Sequence, residues 1–502
     1  MIQIGIIISL VIAVLLGAIA SKKVKGKLNN FFVAGRSWSA LLVGLALVSQ
    51  AIDGNATMAN TGLAFDFGFW TGAAMIMGLA LSLLLLGIFF APKLNQLKLL
   101  TLADFFRYKY NRKIEIIAAL FMLFSFGMLL AGNIASVAIL IQLFWPIGYA
   151  SIVIIICSVV ILYAIGGGII SDLFSDMWQI FLTVAGIAAT FIFLFCQYDF
   201  AGLWQSEIVQ NSFSLSQLTD VASGSLINWG TIVALGFGNI LAIDFCSRVL
   251  SAKSPQAARR GCYLGAFFTM LLGIPFALLP IFLQWLNVLP VENTPIIVAF
   301  ANQILPPVIA TLLISGIIAA ALSTIDGAML SMGNIFTHNI LDIQKNIDPE
   351  NKRETNKTYL YFARLSLLPV TLLAMIFAIL LPTPGALLTI AFDIMFAALL
   401  VPFVTAFYSK KPNPQAAVYA IIAGAAARFV FAALTPTSFG VPNEWFYIPN
   451  DWFPASLDGL GTMVSPLVAL VVYLAVVFVY RLRKKEVIQE EIYLNNNLQN
   501  YL

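Results

Sequence analysis

Lysine and arginine are confined to short stretches between long apolar runs, and this spacing constrains the chain more than any other feature. Of 27 basic residues, all but Arg428 fall into six clusters: Lys22–Arg36, Lys93–Lys113, Arg248–Arg260, Lys345–Arg364, Lys410/Lys411 and Arg481–Lys485. The gaps on the other side carry Asp66, Glu207, Asp220, Glu292, Glu444, Asp451 and Asp458, with no Lys or Arg among them. Positive charge resists translocation, so the alternation implies repeated crossings of a bilayer in a defined direction. A further inner turn, near Gly166–Ser171, carries no basic residue and follows only from counting crossings. With 61% hydrophobic and 10% charged residues, the apolar surface exceeds what one soluble core hides. Helices of ~20 residues, each spanning ~30 Å of hydrocarbon, accommodate it. The net charge of +4 therefore marks topology and gives no reason to expect a nucleic-acid partner.

Hydropathy predicts an all-α polytopic membrane protein with thirteen spans, at roughly 3–20, 38–64, 70–91, 114–144, 147–166, 174–197, 226–250, 261–286, 300–337, 358–381, 385–408, 414–435 and 461–482. Met1–Ala20 is apolar but lacks a preceding basic residue, and Lys22, Lys23, Lys25 and Lys27 follow it. That order reads as a retained first helix with its N-terminus outside, not as a signal peptide. Thirteen crossings then leave the C-terminus inside with Arg481–Lys485, and a polar, frayed tail after it.

The second to sixth and the seventh to eleventh spans form two groups of five, and an odd number inverts the second group relative to the first. Inverted repeats place a ligand at the midplane between broken leading helices. Ala51-Ile52-Asp53 and Ala242-Ile243-Asp244 occupy the two leading helices, beside Gly54 in one and Gly236 and Gly238 in the other. The expected organisation is an N-terminal helix and loop over 1–27, repeats over 28–197 and 226–408, an outer loop over 198–225, two C-terminal helices over 409–485 and a tail over 486–502.

A carboxylate at the bilayer centre costs ~2.5–3.5 kcal/mol on insertion scales, so Asp53, Asp176, Asp244, Asp326 and Asp393 each need a partner or a wetted helix end. If Asp53 and Asp244 face a shared cavity unpaired, a cationic ligand or a proton is the natural counter-charge. Asp53, Asn55, Asn239 and Asp244 are accordingly the candidate substrate-binding residues. Arg248 and Arg260 read as residues of the inner end, either topology anchors or part of an inner gate, and the basic loop alone accounts for them as anchors. Ala320, Ser323 and Thr324 fall at i, i+3 and i+4 on one helical face, offering a carbonyl and two hydroxyls. With carbonyls freed where Ser49 and Ile52 break their helix, they would complete a shell for a hard cation. The alternative is that Ser323 and Thr324 bond back to their own preceding turn.

Several features read as structural. Cys157, Cys196, Cys246 and Cys262 form no CxxC pair. Gly166-Gly167-Gly168 lacks a following Walker lysine. Asn133 and Asn334 read as polar glue between helices, Arg428 as snorkelling or acid-paired, and His338 as a helix-terminal residue. One histidine and no nucleophile–base cluster argue against an embedded enzyme.

Four stretches then carry a resemblance. Phe32-Val-Ala-Gly-Arg-Ser37 resembles the GGRS-type signature of the sodium/solute symporter family. Gly167-Gly168 with Ser175-Asp176 and Gln179 looks like its GG…TDxxQ signature. Arg248–Ser254 resembles its R-x-x-x-A-K-S loop, and Ala319–Asp326 its A-A-x-x-S-T-x-D helix. The resemblance implies a leucine-transporter-like fold and sodium-driven uptake without any other cofactor. It also implies a sodium site from the backbone of Ser49, Ile52 and Ala320 with the side chains of Ser323 and Thr324. Asp176 and Asp326 match positions that some members use for a second sodium, although Gly327 replaces the usual polar residue there. Leu330–Leu341, Asp393–Tyr408, Asn413–Arg428 and Gly238-Asn239-Ile240 look nearest to the high-affinity choline transporter branch. The continuation Leu241-Ala242-Ile243 departs from that branch, so an aromatic cage would need Phe237, Phe245 or Phe396. The expected function is sodium-coupled import of a small organic solute, with an amine or other organic cation ahead of proline-, pantothenate- or sugar-like solutes. The contrasting class is a membrane sensor that keeps the fold without transporting.

Overall fold

The computed structural model describes residues 1–21, 28–288, 290, 294–343, 352–444 and 446–499. The predicted basic residues Lys22–Lys27 and Lys345, and the outer marker Glu292, lie outside the described residues. Among the described residues the chain folds into helices, with one two-stranded hairpin pairing Thr437–Ser438 with Val441–Pro442.

In chain order the principal helices are α1 (Ile2–Ser21), α2 (Ala40–Ala51), α3 (Gly54–Phe67), α4 (Phe69–Leu97), α5 (Arg112–Gln142), α6 (Tyr149–Leu162), α7 (Gly168–Gln197) and α8 (Ser225–Leu241). There follow α9 (Ile243–Ser251), α10 (Pro255–Trp285), α11 (Pro307–Ile340), α12 (Thr358–Leu380), α13 (Pro384–Tyr408), α14 (Pro414–Leu434) and α15 (Leu460–Leu482). Among the described residues nine of these are long and apolar enough to cross a membrane unaided. The pairs α2–α3 and α8–α9 qualify as two further spans, bent by 55° and 48° at their junctions. The apolar parts of α1 and α6 are shorter, so length and composition support nine to eleven spans. The last helix continues in the backbone through Gln499, where a frayed tail was expected.

Local chemistry explains the boundaries. Proline stands at the first turn of α10, α11, α13 and α14, where its missing N–H costs nothing. Ser254 caps α10 through Ala257 N, and Asn413 caps α14 through Gln415 N and Ala416 N. No separate loop forms at the inner turn near Gly166–Ser171. The backbone bends at Gly168 alone (φ 55°, ψ −157°), and a Cβ there would strike Phe31.

Helices α7 and α11 pack along one another, with Gly186 against Leu312 and Gly316 against Thr183. Small residues at such contacts let backbones approach, and Thr183 Oγ1 donates to Gly316 O at 3.1 Å. Helix α2 lies on α10 and α5 on α13. The result buries the second half of α2, all of α9 and the middle of α11. At the basic end, Trp38 N donates to Ser251 O (3.1 Å) and Lys253 N to Trp38 O (2.9 Å), closing the two leading spans together. Asn95 adds bonds to Val249 O and Ala252 O.

Candidate functional site: a small buried cavity beside a broken helix

Helix α2 ends because Ile52 (φ −96°, ψ 91°) and Asp53 (φ −119°, ψ 179°) are extended. Asp53 restarts the helix as its N-cap, accepting from Ala56 N at 2.7 Å. Its other oxygen accepts from Asn133 Nδ2 (2.8 Å) and Asn55 Nδ2 (3.1 Å), while Asn133 Oδ1 accepts from Gly54 N (3.0 Å). Gly54 is required by proximity, since a Cβ would press on Ala321 and Ser136. Asn133 is thus polar glue, as expected, and what it glues is the break.

The second break has a different origin. The helix loosens through a π turn at Ala234–Gly238 and a tight turn at Asn239–Leu241, then turns at Ala242 (φ −59°, ψ 120°). Gly238 packs directly under the Phe392 carbonyl. The paired signs Ala51–Asp53 and Ala242–Asp244 therefore both mark real interruptions.

Ending α2 at Ala51 strips its last carbonyls of helical donors. Facing them, Ala320, Ser323 and Thr324 project from α11 as the i, i+3, i+4 spacing predicts. Ser49, Ile52, Ala320 and Ser323 line one cavity of about 10 Å³, room for a single water-sized particle. Thr324 Oγ1 lies 3.4 Å from Ser49 O and 3.5 Å from Ala320 O, bonding across the interface as well as back along its own helix. Ser323 instead donates to Asp176 Oδ1, and Ser49 Oγ donates to Asp176 Oδ2 at 3.0 Å. Asp176 thereby joins the two walls of this cavity. Gln179 and Thr183 also line it, with apolar Val48, Ile180 and Leu272, and Gln179 has no protein partner for its amide. Sequence reasoning assigned neither to this cavity. The signal was available, because 176, 179 and 183 share one face of α7 with the signature aspartate.

One expectation is corrected. Arg248 is a buried residue and not a surface anchor. Arg248 is 1% exposed, and its Nη2 pairs with Asp172 Oδ2 at 2.6 Å, with Asp176 Oδ2 at 3.7 Å. Asp172, which sequence reasoning overlooked, is as deeply buried. Hydropathy averaging hid the pair, because a balanced ion pair inside protein makes no demand on lipid. Arg428 is paired too, through Nε to Asp393 Oδ2.

The candidate substrate residues divide. Asp53 and Asn55 belong to the Asn133 cluster, with Asn55 Nδ2 also donating to Leu129 O. Asp244 Oδ1 accepts from its neighbour Phe245 N at 2.6 Å. The bonds to each carboxylate come from neutral donors, which satisfy oxygens without supplying a counter-charge. Asn239, 1% exposed within the second break, keeps its Oδ1 without a protein partner. Phe237 and Phe396 stack on each other at 5.8 Å, while Phe245 is buried. Asp326 is buried and partnered on α11. Three cysteines are buried and free, and Cys196 is free and exposed.

At the basic end of α11, His338 Nε2 lies 3.0 Å from Asp104 Oδ1. Asn339 Nδ2 donates to Asp104 and to Glu115 Oε1, both at 2.7 Å, and Glu115 also pairs with Arg112 at 2.9 Å.

A broken helix, α2–α3, meets α7 and α11 at this buried cavity, and a second broken span, α8–α9, stands in the same bundle, an architecture of the leucine-transporter-like fold. The chain belongs to the sodium:solute symporter family, whose model matches residues 31–424. The fold is shared with a solved Na⁺-coupled sialic acid symporter at a TM-score of 0.76 and 18% identity, covering 94% of this chain and 97% of that one. Among relatives, the high-affinity choline transporter 1 of Caenorhabditis elegans is 22% identical across 80% of this chain and 71% of its own length. The sodium/pantothenate symporter of Haemophilus influenzae is 23% identical across 80% and 84%, and a sodium/proline symporter of Staphylococcus aureus 24% across 73% of each.

Proposed function

We propose that this chain is a sodium-coupled secondary symporter that imports a small organic solute by alternating access. The observation that carries the reading is the 10 Å³ cavity on which Ser49, Ile52, Ala320 and Ser323 converge, with Thr324 across its edge. Carbonyl and hydroxyl oxygens are the ligands a hard cation selects, and Ser49, Ile52, Ala320, Ser323 and Thr324 would hold the coupling sodium. Bound there, sodium ties the broken α2–α3 span to α11 and favours the arrangement in which the solute binds. Inward movement of one sodium gains ~2.3 kcal/mol per 100 mV of membrane potential.

The relatives transport unlike solutes, so the solute is argued from residues. Asn239 Oδ1 is a buried acceptor lacking a protein donor, which favours a solute bearing an N–H or O–H group. An organic cation remains the first class to test, beside the polar cluster of Asp53 and Asn55 and near Asp244. Thirteen spans in a five-plus-five inverted repeat, with the N-terminus outside and the C-terminus inside a bacterial inner membrane, complete the proposal. The two bent leading spans support the repeat.

The test is electrogenic uptake by proteoliposomes under an inward sodium gradient. Choline, a polyamine, proline, pantothenate and a sugar would be supplied in turn. A sodium-dependent current with any of them supports symport. Sodium binding to purified protein without current from any solute favours a sensor.

A further inference from the structure

Four lysines crowd the basic end of α13. Lys93, near the end of α4, donates from Nζ to Phe407 O at 3.1 Å and stands 4.6 Å over the Phe407 ring. Lys109, closing the short helix Ala103–Lys109, donates from Nζ to Ser409 O at 3.2 Å. Lys410 and Lys411 follow directly and are exposed. Among the described residues no ion pair joins any of the four to a carboxylate. The arginines nearby differ, since Arg107 and Arg112 are matched by Glu115 and Asp342. Burial, and then the Lys93 ammonium beside it, hold Lys109 below the ordinary lysine range.

The simpler account is that Lys93 and Lys109 cap the last carbonyls of α13. Capping uses one N–H of each ammonium and leaves two free on each. It also leaves the charge unexplained, because a helix C-terminus supplies only about half a negative charge. Beside this basic floor stands an apolar wall. One turn before Lys93 the helix widens into a π turn at Leu86–Phe90, leaving Ile88 48% and Phe89 50% exposed. Tyr408, 61% exposed, faces Phe90 across the notch with ring centroids 6.3 Å apart. Unbalanced ammonium groups below exposed hydrocarbon suit a ligand that is anionic at one end and apolar at the other.

We infer that the notch between α4 and α13 binds an acidic phospholipid from the leaflet at the basic end of the protein. Lys93, Lys109, Lys410 and Lys411 hold its phosphate, and its acyl chains lie against Ile88, Phe89 and Tyr408. Basic pockets between membrane helices suit such headgroups. A zwitterionic lipid would bring its own cation into the patch, and a free phosphate would leave the apolar wall unused. A bound lipid would join α4 to α13, whose Phe392 carbonyl seats Gly238 at the second break. The inference needs only that the chain spans a membrane, so it stands or falls apart from the symport reading.

The test is thermal unfolding of the purified, delipidated full-length protein in neutral detergent. Short-chain phosphatidylglycerol, phosphatidylcholine and glycerol 3-phosphate would be titrated separately. Phosphatidylglycerol should raise the melting temperature at the lowest concentration of the three. Lys93→Gln with Lys109→Gln should weaken that response by about thirtyfold, the ~2 kcal/mol that two lysines supply near an anionic surface. Arg259→Gln with Arg260→Gln removes equal charge from exposed residues elsewhere at the basic end and should leave it unchanged. An equal response to phosphatidylcholine would overturn the inference. So would an equal response to glycerol 3-phosphate, which would assign the lysines to a soluble phosphate, or an equal loss in the Arg259 and Arg260 variant. Should the Lys93 and Lys109 variant fail to fold, Lys410→Gln with Lys411→Gln alters exposed residues only and should weaken the response by the same factor. Unchanged affinity in that variant would overturn the inference.

Discussion

Asn133→Ala is the perturbation that most directly separates a structural break from a functional one. The side chain makes two bonds at the α2–α3 junction, donating to the Asp53 carboxylate at 2.8 Å and accepting from Gly54 N at 3.0 Å. A hydrogen bond to a charged group contributes about 1.5–3 kcal/mol and a neutral one about 0.5–1.5, so removing both costs about 2–4.5 kcal/mol. That loss falls on the geometry presenting the Ser49 and Ile52 carbonyls. Since about 1.4 kcal/mol is one decade in affinity, sodium binding should weaken by about five- to forty-fold if half the loss goes to global stability. The assay is sodium titration of the purified variant, followed by tryptophan fluorescence or by the rise in melting temperature that a ligand binding only the folded state produces. Ser158→Ala, which removes only a bond back to Ile154 O on an exposed face, should leave both readouts unchanged. An Asn133→Ala protein with wild-type sodium affinity would refute the claim that the Asp53–Asn133 cluster sets the cation site.

Thr324→Ala should raise the sodium concentration for half-saturation by about tenfold, one lost oxygen ligand, whereas Ser331→Ala on the same helix should not; sodium titration decides. Breaking the Asp393–Arg428 pair with Arg428→Ala strands a buried carboxylate and should cost about 3–5 kcal/mol, read as a lower melting temperature. The double variant Asp393→Leu with Arg428→Met should recover most of that loss. Gly424→Ala would drive a methyl into the Ala397 carbonyl and should destabilise by about 1–3 kcal/mol without changing sodium affinity. Burial pushes Asp104 upward, but bonds from His338, Thr101 and Asn339 outweigh it and hold the carboxyl below its ordinary range. The stabilisation from a depressed acid is present above its unfolded value and is lost as pH falls through the folded one. Wild type should therefore exceed Asp104→Asn in melting temperature near pH 5, and the margin should shrink as the pH falls below about 4.

Much of this architecture was legible in the chain itself. Basic clusters and apolar lengths define a polytopic helical membrane protein because hydrocarbon penalises charge and open backbone wherever the chain later packs. Asp53 before Gly54, and the glycines before Ala242, mark the two breaks because capping and backbone freedom are local chemistry. The Ala320, Ser323, Thr324 spacing likewise fixes a shared face through helical geometry alone. Tertiary structure decided which faces meet. It turned Asp53 toward Asn133, 80 residues away, and made Asp176 the bridge between Ser49 and Ser323. It also buried Arg248 against Asp172, 76 residues distant, in the space Gly327 leaves open. Hydropathy reports how much of a segment is apolar but not the direction in which each side chain points. A buried charge is tolerated or forbidden according to its partner, and that partner exists only once distant helices have packed.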